Sequence, residues 1–141
     1  MKRLAWLCPL IFAVAPLSHA ARLQVLIPNF DSYGTGMVCV VDQEYNARFS
    51  DLMRAPDFDT DPTNRQTALK LMTFFRDVDQ DACYKLVGTS AHITLADAKT
   101  VYVATIIYEA QTASRVYWKV VTLDASSGAA QSMTVDAPAA K

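Results

Sequence analysis

Residues 100–108 (Thr-Val-Tyr-Val-Ala-Thr-Ile-Ile-Tyr) constrain the fold more than any other stretch. Successive side chains of a strand point to opposite faces. Here Val101, Val103 and Ile107 lie on one face, and Tyr102, Ile106 and Tyr108 on the other. A strand apolar at both parities needs cover on both sides. Residues 115–123 repeat the pattern, with Val116, Trp118 and Val120 set against Tyr117, Lys119 and Val121. Any fold for this chain must therefore bury a β-rich C-terminal half between layers.

The rest of the chain supplies candidate layers. Leu23-Gln24-Val25-Leu26-Ile27, closed by Pro28, reads as a first strand. Val38, Val41, Tyr45, Phe49 and Leu52 recur at steps of three and four, which predicts an amphipathic helix over 38–53. Residues 56–62 form a loop, with Asp61-Pro62 as the N-cap and first residue of a second helix. Its stripe runs through Ala68, Leu71, Met72, Phe75, Val78, Ala82 and Leu86, and Gly88 stops it. After strands 100–108 and 115–123, Ser126-Ser127-Gly128 turns the chain into a short strand, 130–135. Residues 137–141 read as a frayed tail. The expected class is α/β in the α+β layered sense. It has a mixed sheet of about four strands, a C-terminal antiparallel meander and two helices on one face.

The N-terminus sets the compartment. Lys2 and Arg3 precede an apolar run from Leu4 to Leu17, and Ser18-His19-Ala20 places small residues at the positions a signal peptidase reads. The run is shorter than the roughly 20 residues a membrane helix needs. Residues 1–20 are therefore expected to be a cleaved secretory signal, cut after Ala20 or Ala21. Residues 21–141 form a single domain, expected in the periplasm or secreted, with no membrane span. Losing Lys2 and Arg3 leaves 11 basic against 14 acidic residues, a net charge of −3. That balance argues against nucleic acid, whose phosphates require clustered Lys and Arg. Cys8 leaves with the signal, so Cys39 and Cys83 remain as an even pair in an oxidising compartment, and one disulfide is expected.

Motifs for chemistry are sparse. His92 is the one histidine after the signal, which speaks against a His-based metal site or triad. Gly34-Thr35-Gly36 follows a strand, but Cys39 stands where a third phosphate-loop glycine belongs, and a tight turn explains the pair. Asp57, Asp59 and Asp61 alternate, as do Asp77, Asp79 and Asp81. A calcium loop begins this way, but needs Gly at its sixth position and Glu at its twelfth. Pro62 or Ala82 and Ala68 or Gly88 stand there instead. No catalytic residue, metal or cofactor is expected, with a weak cation site at Asp57, Asp59 and Asp61 as the alternative. The aromatic side chains offer the positive signal. Two helices cover one face of a four-stranded sheet and little more. Some of Tyr102, Tyr108, Tyr117 and Trp118 are then expected to face outward and bind a partner, a use for which Tyr and Trp are enriched.

The stretch Asp97-Ala98-Lys99-Thr100-Val101-Tyr102-Val103-Ala104-Thr105-Ile106, followed by residues 116–128 (Val-Tyr-Trp-Lys-Val-Val-Thr-Leu-Asp-Ala-Ser-Ser-Gly), resembles a group of bacterial envelope domains. These are the TolB N-terminal, LpoB and CsgG type of α/β domain. The chain differs from them in having Ala104-Thr105 where they carry glycine, and in its cysteine pair. The resemblance implies a sheet flanked by helices and protein binding during envelope or surface-appendage assembly. The expected function is a non-enzymatic periplasmic protein that binds a protein partner in the envelope, with a second copy of the chain as an alternative partner. The competing readings are an immunity protein or inhibitor that neutralises a toxin or hydrolase, and an enzyme built on paired carboxylates.

Overall fold

Strand β1, Ala21–Leu26, alternates buried Ala21, Leu23 and Val25 with more accessible Arg22, Gln24 and Leu26. This is the pattern of a strand with one face in a core and one in water. The structure, a computed structural model, describes residues 21–78, 82–95, 100–109, 115–124, 126 and 128–139. Residues 1–20, expected to be a signal, Asp79 and Asp81, and residues 97–99, 125 and 127 of the envelope-domain resemblance lie outside it.

Among the described residues, two helices and seven strands form an α+β domain. After β1 come a single 3-10 turn at Phe30–Ser32, β2 (Thr35–Val41), α1 (Asn46–Arg54) and α2 (Arg65–Val78). Then follow β3 (Cys83–Lys85), β4 (Ser90–Leu95), β5 (Thr100–Tyr108), β6 (Val116–Asp124) and β7 (Gln131–Thr134). The strands make two sheets. One is antiparallel, in the order β3-β2-β5-β6; the other is mixed, in the order β4-β1-β7, with β1 antiparallel to β4 and parallel to β7. None of the described helices is long and apolar enough to cross a membrane.

The two sheets pack face to face. Leu23, Val25, Ala91, Ile93 and Met133 of the three-stranded sheet meet Val38, Val101, Val103 and Ile107 of the other. On the far side of the four-stranded sheet, Cys39, Val41, Ala104, Ile106 and Trp118 meet Phe49 of α1 and Ala68, Leu71 and Phe75 of α2. The four-stranded sheet is thus the middle layer of three. Lys119 points toward the second sheet and carries its amine out to the Thr134 carbonyl at 3.3 Å, so its stem lies against apolar surface while its charge reaches the edge.

Several sequence expectations change. Residues 38–41 belong to strand β2, and the first helix spans only Asn46–Arg54. The run Val38, Val40, Val41 is β-branched and therefore strand-prone. Both its faces are buried, so its spacing matches a helix by coincidence. The second helix ends at Val78, and Cys83–Lys85 is an edge strand. Its N-cap is Asn64, whose side-chain oxygen accepts from the Gln66 and Thr67 amides at 2.8 and 3.2 Å; Asp61 does not serve. The meander stops after β6, because β7 crosses to the other sheet. The tail is anchored as far as Pro138. Ala137 is buried, the Asn29 side-chain amide donates to the Ala137 carbonyl at 2.6 Å, and the Tyr33 hydroxyl donates to that of Pro138.

The disulfide joins Cys39 and Cys83, directly opposed across β2 and β3 with Cα atoms 4.1 Å apart. It therefore links two strands, although the expected helices would have carried both cysteines. Closing 44 residues of chain, it is expected to constrain the unfolded state by about 4 kcal/mol on the loop-entropy model. A Cys39→Ala, Cys83→Ala double variant should lose stability on that order in urea unfolding, and a loss under about 1 kcal/mol would contradict this account. Phe75 is 2% exposed between Leu71 and the Phe49 ring, 5.7 Å away. Phe75→Ala should cost roughly 3–5 kcal/mol. A marginal effect there would mean that α2 does not seat on the sheet.

Candidate functional site

The acidic loop before α2 is occupied with its own structure. Lys70 donates to the Asp57 carbonyl at 2.8 Å and forms an ion pair with its carboxylate. That ammonium holds the exposed Asp57 carboxyl below its ordinary range. Asp59 accepts from the Asp61 amide at 3.0 Å and the Asn64 side-chain amide at 2.6 Å. Asp61 accepts from the Thr63 amide and hydroxyl at 2.9 and 2.7 Å, which lowers its pKa. The three carboxylates hold the loop's own turns, and Asp59 steadies Asn64, which caps the helix. Among the described residues, no group of three or more His, Cys, Asp or Glu is placed to hold a metal ion. His92 is exposed on the outer face of the three-stranded sheet, beside Gln24 and Thr94 in a groove of about 610 Å³ of mixed polar and apolar lining.

The four aromatic residues do not share a surface. Tyr102 packs on Phe49 beneath the helices, with ring centroids 5.2 Å apart. Trp118 is 6% exposed under Phe58, centroids 5.5 Å apart. Tyr117 lies on the opposite face, against the core between the sheets. Sequence reasoning left one face of the sheet without cover. The second sheet, built from β1, β4 and β7, supplies that cover. Of the four, Tyr108 lines an open apolar surface.

That surface is a groove beside α2. One hollow of about 390 Å³ is lined by Thr35 and Met37 of β2, Ala68, Leu69 and Met72 of α2, Tyr108, Val116 and Arg65. A second, of about 360 Å³, adjoins it through Met37, Leu69 and Met72 and extends to Phe75, Cys83 and Arg76. Both lie in the size range of binding pockets. The helix explains the arrangement. Arg65, Leu69, Met72 and Arg76 recur at steps of four, three and four, and so form one stripe beside the buried stripe of Ala68, Leu71 and Phe75. Leu69 is 43% exposed, one of three large apolar side chains so placed among the described residues. Met37 and Met72 line the middle with flexible thioethers that adapt to varied shapes. The Tyr108 hydroxyl donates to Met72 Sδ, which fixes the ring as a wall. Burial pushes its phenol up to about 12.

Sequence reading missed Leu69 and Met37, and placed Met72 in the core. The available signal was Leu69 itself, an apolar residue off the main stripe of α2, between Gln66, Lys70 and Thr73. No known protein family, curated protein or solved structure matches the chain.

The Tyr108 phenol gives a test of this wall. It keeps its proton to about 12 in the fold, against an ordinary value of 10.0. The native state therefore binds more protons between those values, so its contribution is intact below pH 10 and is lost as pH rises through 12. Urea midpoints should fall over that interval, and Tyr108→Phe should flatten the fall. Tyr33, also raised by burial, leaves a remainder. An unchanged alkaline slope in Tyr108→Phe would place the ring in water.

Proposed function

We propose that this chain is an exported, non-enzymatic binding protein that acts in the bacterial periplasm and docks an apolar segment of a protein partner in the groove beside α2. The groove carries the reading. It is a continuous apolar hollow along a helix whose exposed Leu69 has no internal reason to face water. Exposed apolar surface arranged as a concave strip marks an interaction site. Export rests on the charged, apolar and small-residue order of residues 1–20, and a formed disulfide fits an oxidising compartment. The resemblance of residues 97–106 and 116–128 to envelope domains favours a partner in envelope or surface-appendage assembly.

Leu69→Asp tests the proposal. The side chain is nearly half exposed, so the variant should unfold within about 1 kcal/mol of the wild type. Partner binding should weaken by about 2 kcal/mol or more, as at an interface hot spot. A photo-crosslinking residue placed at 69 in living cells reads the partner directly. An envelope protein in the adduct supports assembly, a toxin or hydrolase would make the chain its inhibitor, and a doubled mass would identify a second copy. Wild-type function of a folded Leu69→Asp protein would remove the groove from consideration.

A further inference from the structure

We infer that the groove selects an extended partner segment with a short apolar core and a carboxylate at each end; the inference rests on the groove being the binding site. Its ends are marked by arginines. Arg65 lines one hollow and Arg76 the other. Arg65 is exposed and has no ion-pair partner among the described residues. Among the described residues, Arg76 has as its ion-pair partner only its chain neighbour Asp77, at 3.6 Å, and both side chains are more than half exposed. An exposed pair of that length holds its charges weakly. After the signal, the chain has more acids than bases, so two cations bracketing an apolar strip oppose the balance of the molecule. Guanidinium groups bind carboxylates through two parallel hydrogen bonds, which gives direction as well as attraction.

The spacing specifies the segment further. Arg65 and Arg76 are eleven helical steps apart on one stripe, about 16 Å along the axis at 1.5 Å per residue. An extended chain covers that distance in about five residues. The long arginine side chains widen the match to roughly four to six residues. Between the ends, the two hollows meet where Met37, Leu69 and Met72 are shared. Two adjoining hollows suit two apolar side chains on the same face of a strand, about 7 Å apart. The flexible methionines accept a range of such side chains.

Selection of a random dodecapeptide library on the disulfide-bonded protein tests this. Enriched peptides should carry Asp or Glu four to six residues apart around an apolar core. A selected peptide should bind at least tenfold more weakly to Arg65→Ala and to Arg76→Ala, with unchanged thermal midpoints, and should weaken as salt is raised. Leu69→Asp should abolish its binding. Enrichment of apolar peptides without acids, indifferent to both arginine variants, would overturn the charge selection and leave the groove standing. Failure to enrich any peptide whose binding depends on Leu69 would overturn both.

Discussion

Strand β5 must be dry on both faces, and the fold follows from that requirement. Val101, Val103 and Ile107 are buried on one side, and Ala104 and Ile106 on the other. Each fully buried valine or isoleucine among them contributes roughly 1.5–3 kcal/mol over exposure. Neither face can be surrendered without losing a substantial part of a marginal stability. Helices cover one face and a second sheet covers the other, which is how an antiparallel sheet becomes the middle of three layers. The outer sheet then needs only one dry face, and its strands show clean alternation, as in β1.

Holding three layers together requires the chain to pass between them without leaving its backbone unpaired. The passage from β3 to β4 does this in a few residues. Leu86 donates its amide to the Gly36 carbonyl at 3.1 Å and buries its side chain over that glycine. A Cβ at position 36 would overlap the Leu86 side chain and crowd Phe30, so the strand accepts the entropic cost of glycine to let the plug seat. Gly88 then turns with φ of 63°, and the Thr89 carbonyl receives the Ile27 amide at 2.8 Å, already in the second sheet. The Cys39–Cys83 bond pins the short β3 at the start of this crossing. A three-residue edge strand has little ladder of its own, and the covalent link holds it in place.

The cysteine pair and the two-sided strands were legible in the sequence because each depends on few residues: an even cysteine count, and bulky side chains at both parities. The layer that covers β5 was not legible. Its strands β1, β4 and β7 are short and far apart in the chain, and a parallel pairing such as β1 with β7 leaves no local signature. The error at 38–53 has the same origin. Once both faces of β2 are buried, the alternation that identifies a strand disappears. Val38, Val41 and Tyr45 then read at helical spacing, although β-branching at three positions pointed the other way. The end of α2 was overrun because Ala82 and Leu86 continue its period although they flank strand β3.

Legibility of the candidate site follows from the same accounting of cover. Two helices must shield one face of a four-stranded sheet. They also pack against each other, with Phe49 of α1 5.1 Å from Phe74 of α2. That contact draws the helices together and leaves the sheet rim at Met37, Tyr108 and Val116 to a single flank of α2. The sequence implied a shortage of apolar cover and assigned it to the C-terminal strands as a whole. The second sheet removes the shortage on its side, and the shortage persists here, where the described residues supply no third helix. A groove at this position is therefore a consequence of the architecture, since the number of helices fixes it. Its character comes from four residues of one stripe. Alanine at 69 and 72 would leave a shallow seam, and lysine there a charged one. Leucine and methionine there, with arginine at both ends, make the seam apolar and bounded.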